Sequence, residues 1–102
     1  MKILVIDGQG GGIGRALVER LRARLPEAEV LAVGTNAIAT SAMLKAGASA
    51  AATGENAVRV CAKTADVIAG PIGIVLKDAM MGEITGAMAA AVAESPAKRV
   101  LV

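Results

Sequence analysis

Residues 2–25 leave little choice of local architecture. Ile3-Leu4-Val5-Ile6 is an uninterrupted apolar run closed by Lys2 and Asp7, and Gly8-Gln9-Gly10-Gly11-Gly12-Ile13-Gly14 follows directly. A short run without polar alternation reads as a strand buried on both faces, the kind a parallel sheet contains. Beyond the glycines the period changes. Ile13, Leu17, Leu21 and Leu25 recur at spacing four, widened by Val18 and Ala16, with Arg15, Glu19, Arg20, Arg22 and Arg24 mostly at the other positions. That is an amphipathic helix, ended by Pro26. Strand, tight turn and helix in immediate succession start a crossover unit.

The rest of the chain repeats the alternation. Val30-Leu31-Ala32-Val33 is a second apolar run, and Gly34-Thr35-Asn36 turns the chain. Residues 37–46 read as a second helix with Thr35 or Asn36 as N-cap and Gly47 as its stop. Its only charge is Lys45, and a helix with so little polar face is usually covered on more than one side. Ala48–Ala52 is a poor third strand, residues 55–63 a third helix, and Val67-Ile68-Ala69 a fourth strand ending at Gly70-Pro71. Residues 72–81 are ambiguous. Ile72, Ile74 and Val75 suit a strand, but Pro71 at a first helical position favours a helix. Ile84–Glu94 is an alanine-rich helix stopped by Ser95-Pro96, and Val100-Leu101-Val102 is a fifth strand. The expected architecture is α/β: one Rossmann-like, doubly wound parallel sheet of about five strands, helices on both faces, residues 1–102 forming a single domain. The strand order 3-2-1-4-5 is preferred to 2-1-3-4-5.

Missing residue types exclude most chemistries. The chain has no histidine, no aromatic residue and one cysteine, Cys61. The commonest general base and metal ligand is therefore absent, and neither a Ser-His-Asp nor a Cys-His arrangement can form. One cysteine makes neither a thiolate metal cluster nor an internal disulfide, which fits a reduced, cytoplasmic setting. Nucleobases have no ring to stack on, and a net charge of +2 is too small to imply nucleic acid or an acidic membrane. The longest uncharged stretch, Val30–Leu44, contains Thr35, Asn36, Thr40 and Ser41 and is too short to span a bilayer. Asp7 interrupts the first apolar run too early for a secretory signal. With no aromatic side chain the core must come from Ala, Val, Ile, Leu and Met, which bury little area each. Self-association is therefore expected to complete it, with residues 37–46 as the best surface.

Five glycines in the seven positions 8–14 make a costly loop, because glycine gives up the most backbone entropy on folding. Such a loop suits a tight turn that something approaches closely. It leads into a helix N-terminus, whose free N–H groups and dipole attract an anion, and Arg15 in the first turn could add a cation. The spacing Gly8-x-x-x-Gly12-Ile13-Gly14 and the run GIGRALVERL at 12–21 resemble the first turn and helix of the short-chain dehydrogenases. That resemblance covers about the first twenty-five residues. It implies cofactor-type binding of NAD(P) or another nucleotide. It departs at Asp7, where that family usually has threonine, and its catalytic tyrosine has no counterpart here. A Walker-type loop fits poorly, since no Gly-Lys-Ser/Thr follows. Over the whole chain, IDGQGGGIG at 6–14, GTNAIATSAMLKAGA at 34–48, ATGENAV at 52–58 and GPI at 70–72 resemble a short bacterial family of unknown function. That resemblance implies a Rossmann-like fold and no particular activity.

In an open parallel sheet ligands sit beyond the carboxyl ends of the strands. The loops expected there supply the candidate binding residues: Asp7, Gly8, Gln9, Gly10, Gly11, Gly12, Ile13, Gly14 and Arg15; Gly34, Thr35 and Asn36; Thr53, Gly54, Glu55 and Asn56; Gly70 and Pro71. Each also has a structural reading. Thr35, Asn36 and the 53–56 group are favoured helix starts, Pro71 suits helix initiation, and Asp7 could accept from nearby loop amides or hold a metal. Classical NAD selection places a carboxylate after the second strand, where this chain has Gly34-Thr35-Asn36. Asp78 and Glu83 could pair as acid and base, but surface solvation is the commoner fate of such residues. The expected function is recognition of a phosphate-bearing nucleotide or dinucleotide by backbone donors, with no catalytic residue and no metal ligand assigned. The rivals are an Asp7- and metal-dependent enzyme or enzyme subunit, and an assembly protein whose glycines serve only the turn.

Overall fold

A computed structural model describes all residues, Met1–Val102. Five strands alternate with four α-helices: β1 (Lys2–Asp7), α1 (Gly12–Arg24), β2 (Glu29–Gly34), α2 (Ala37–Lys45), β3 (Ala50–Thr53), α3 (Glu55–Ala62), β4 (Val67–Gly70), α4 (Gly86–Glu94) and β5 (Lys98–Leu101). The strands form one all-parallel sheet in the order β3-β2-β1-β4-β5. This is the Rossmann-like α/β fold, in the order expected. β1 lies at the centre between β2 and β4, so Ile3 pairs with Val30 on one side and Val67 on the other. That central place explains why its apolar run has no polar alternation.

Alternation along the central strands feeds two separate cores. Ile3 and Val5 of β1, with Val30 and Ala32 of β2, pack against Val18 of α1 and Met43 of α2. Leu4, Ile6 and Val33 point the other way, toward Val58 and Ala62 of α3 and Met88, Ala89 and Val92 of α4. Ile68 of β4 joins the second core, as do Ile74 and Ile84, which anchor the ends of the long β4–α4 connection. No helix is long and apolar enough to cross a membrane.

Two expectations need correction. Residues 72–81 are not a helix. A single 3-10 turn, Ile72–Val75, follows Pro71, which serves as its N-cap. The chain then turns repeatedly through Asp78, Met80, Met81 and Gly82, all with positive φ. Three of these carry side chains, and each non-glycine residue held in that region costs roughly 1–2 kcal/mol. Such a segment is shaped by its tertiary contacts. Helix α1 packs through Gly14 and Val18, the residues of it that are buried, whereas Ile13 and Leu25 stay 47% and 43% exposed. The apolar stripe is rotated because Gly14 is the point of closest approach to β1. Within one chain helix α2 buries Ala39 and Met43 and leaves Ile38 72% exposed, so one face of this apolar helix stays uncovered. Smaller shifts move β3 to 50–53 and β5 to 98–101, and start α4 at Gly86 behind a Thr85 cap.

Ile68 is fully buried on β4 between β1 and β5. Ile68→Ala is expected to cost about 2–5 kcal/mol, the range for truncating a buried isoleucine in a packed core. Urea unfolding followed by far-ultraviolet circular dichroism measures it, and a loss below about 1 kcal/mol would contradict a well-packed second core.

Candidate functional site

The parallel sheet puts the ends of all its strands on one edge. At that edge Asp7 closes β1 with a buried carboxylate, 4% exposed. Its Oδ1 accepts from the Gly8 N–H at 2.7 Å and its Oδ2 from the Gly14 N–H at 2.6 Å. One side chain thus ties the end of the strand to the start of the helix. Gly14 is what lets it: a Cβ there would lie 2.8 Å from the Asp7 Cβ and 2.6 Å from the Met43 Sδ. Gly11 completes the turn in a left-handed conformation, φ 73°, as the N-cap of α1. It donates to the Gly8 carbonyl at 2.9 Å and accepts from the Arg15 N–H at 2.8 Å.

The five glycines divide into two groups. Gly11 and Gly14 are required by the fold, since a Cβ on either would come within 3.0 Å of the Ala39 backbone or the Asp7 Cβ, whereas at Gly8 it would displace the ends of the Thr35, Met80 and Glu83 side chains. Gly10 and Gly12 are different. Neither has a left-handed φ, and a Cβ on either would meet nothing within 4 Å. Both are exposed. The N–H groups of Gly12 and Ile13, the first two of α1, donate to no other group of the protein.

The loop after β2 joins this turn. The Thr35 N–H donates to the Asp7 carbonyl at 3.0 Å, and Asn36 Nδ2 donates to the Gln9 carbonyl at 3.0 Å. Asn36 is also the N-cap of α2, accepting from the Ala39 N–H at 2.9 Å. The remaining predicted loops lie along the same edge with fewer links. Gly54 donates to the Gly34 carbonyl at 2.9 Å. Thr53 does not cap α3, whose N-cap is Gly54 with no side-chain bond; its hydroxyl meets that of Thr40 at 2.7 Å. Glu55 accepts from the Thr85 hydroxyl at 2.6 Å, linking the starts of α3 and α4. Gly70 and Pro71 are buried and direct the chain into the 3-10 turn. Asn56 makes no hydrogen bond through its side chain and is exposed. Arg15 lines a groove with Glu19, Ile38, Ser41 and Lys45 between α1 and α2.

The residue that sequence reasoning missed is Glu83. It is half-exposed, with one carboxylate oxygen bound to the neighbouring loops. The β4–α4 connection carries it over the sheet edge, where Oε1 accepts from the Gln9 N–H at 2.7 Å, the Thr35 hydroxyl, and Asn36 Nδ2 at 3.1 Å. The backbone bond from Gln9, then the Thr35 bond, with a smaller contribution from Asn36, hold its pKa below the usual carboxylate value against the opposing effect of burial. Met80 of the same connection packs its sulfur against Gly8. No local signal marks Glu83, because it lies 48 residues from Thr35 and 74 from Gln9. None of the surface cavities is lined by residues 7–14, 34–36 or 83.

The fold and this edge define a Rossmann-like α/β protein whose glycine-rich first turn is braced by one carboxylate and faced by another. The chain belongs to the family described as Domain of unknown function (DUF3842), whose model matches residues 2–102. No curated protein and no solved structure matches it significantly.

A lowered carboxylate pKa fixes the sign of a pH effect. Glu83 contributes stability that is fully present above the unfolded glutamate value, about 4.3, and is lost as pH falls through the lower folded value. Acid titration of the urea midpoint is expected to show less loss below about pH 4 in Glu83→Gln than in the parent protein. Identical acid profiles would mean that the Glu83 contacts do not hold in solution.

Proposed function

We propose that the chain binds a phosphate-bearing nucleotide or dinucleotide at the turn between β1 and α1. The observation that carries this reading is the pair Gly10 and Gly12: the fold does not need glycine at either place, yet both leave open space beside unpaired N–H groups of a helix start. Glycine at such positions costs backbone entropy, and close approach by an outside group is what would use it. The positive end of α1 and the unpaired amides of Gly12 and Ile13 suit a phosphate. The turn also adjoins the switch point between β1 and β4, where ligands of open α/β sheets sit. Thr35 and Asn36 adjoin the turn, with their side-chain donors given to Glu83 and the Gln9 carbonyl. An Asp7-centred, metal-dependent reaction has less support, because both carboxylate oxygens already accept from the turn.

The test separates folding from binding at one residue. Gly12→Ala is expected to fold with undiminished stability, since its Cβ meets empty space and alanine favours a helix over glycine by up to about 1 kcal/mol. The same change is expected to weaken binding of ATP, ADP, NAD⁺ or inorganic pyrophosphate at least about tenfold in calorimetric titration. Full affinity in a normally folded Gly12→Ala would remove the turn from the site.

Self-association through α2 is the second part of the proposal. Ile38 is 72% and Leu44 50% exposed on this helix. Ile38 lines a groove with Ala42 and Ala46 that also carries Glu19 and Lys45. A second copy related by a two-fold axis would cover Ile38 and bring opposite charges together. Ile38→Lys is expected to shift sedimentation from dimer to monomer at micromolar concentration, and a parent protein that sediments as a monomer there would exclude the contact.

A further inference from the structure

The place that a carboxylate occupies in NAD-selective sheets, just past the second strand, is held in this sequence by Gly34-Thr35-Asn36. The fold nevertheless delivers a carboxylate there from another element. Glu83 reaches Thr35 and Asn36 from the β4–α4 connection, with Oε1 held by three donors on two loops. Its second oxygen, Oε2, accepts from no group of the protein and is not buried. A preorganised acceptor therefore lies open beside the glycine turn. Accepting a hydroxyl costs such an oxygen little, whereas a second phosphate would meet a like charge.

We infer that Glu83 is a specificity-determining residue: it accepts a hydroxyl of the ligand's ribose and rejects a phosphate at that position. The ligand class is then a nucleotide whose ribose next to the phosphate turn has free hydroxyls, of the NAD⁺ or ADP kind and not the 2′-phosphorylated kind. This inference rests on the phosphate reading above. Glu83 acts at some distance in sequence from the turn, yet its position is set by the turn's own Gln9 amide.

Calorimetric titration with NAD⁺, NADP⁺ and inorganic pyrophosphate tests it on the parent protein, Glu83→Gln and Glu83→Ala. The parent is expected to bind NAD⁺ at least about tenfold more tightly than NADP⁺. Glu83→Gln keeps the shape and removes the charge, and is expected to bring the two affinities within about threefold, chiefly by tightening NADP⁺. Glu83→Ala gives the same readout should the glutamine variant fold poorly. A preference for NAD⁺ that survives both substitutions, or none in the parent, overturns the role of Glu83. Pyrophosphate binding without NAD⁺ binding overturns it too, while leaving the phosphate reading intact. A parent protein that binds none of the three probes overturns both.

Discussion

The pair of hydrogen bonds from Gly8 and Gly14 to the Asp7 carboxylate is the constraint on which the rest of the edge depends. It joins the last residue of the central strand to the first turn of α1, and it requires that Gly14 have no side chain. Charge-assisted bonds to a buried carboxylate are short and strong compared with neutral ones. By using the Gly14 amide, Asp7 braces the inner side of the turn and leaves the Gly12 and Ile13 amides pointing at solvent. The aspartate that looks misplaced beside a glycine-rich turn is thus part of the scaffold that shapes it.

The second carboxylate has a different consequence. Glu83 holds the β4–α4 connection down on the loops after β1 and β2 through three donors. That connection contains four residues with positive φ between Asp78 and Gly82, so it keeps its shape through contacts made elsewhere, chiefly Ile74 and Ile84 in the core and Glu83 at the edge. Backbone held in unusual conformations persists where surrounding contacts over-determine it. The chain spends part of its small core on this segment. With no aromatic residue available, Ile74, Ile84 and Met80 do the covering.

Much of this was readable along the chain because its signals are local. The four residues Ile3–Ile6 predict a doubly buried strand, and the strand lies at the centre of the sheet. Pro26 predicts the stop of α1 near Leu25, and Asn36 is a cap because its side chain needs only the amide three residues on. The helix over 72–81 failed for the same reason that the others succeeded. Pro71 permits a helix start, but buried Ile74 and Ile84 and the bond that Glu83 accepts from the Gln9 N–H are long-range contacts that override local preference.

The order of apolar runs, glycines and caps along the chain was by itself sufficient for the α/β alternation, the parallel sheet and the glycine turn as the candidate site. Those follow from periodicity and backbone sterics within a few residues. Only the tertiary structure decided which glycines the fold consumes, since that depends on what lies across each missing Cβ. It alone also placed a carboxylate against Thr35 and Asn36, because the meeting of Glu83 with Gln9 spans 74 residues and no pattern along the chain encodes a contact between two loops.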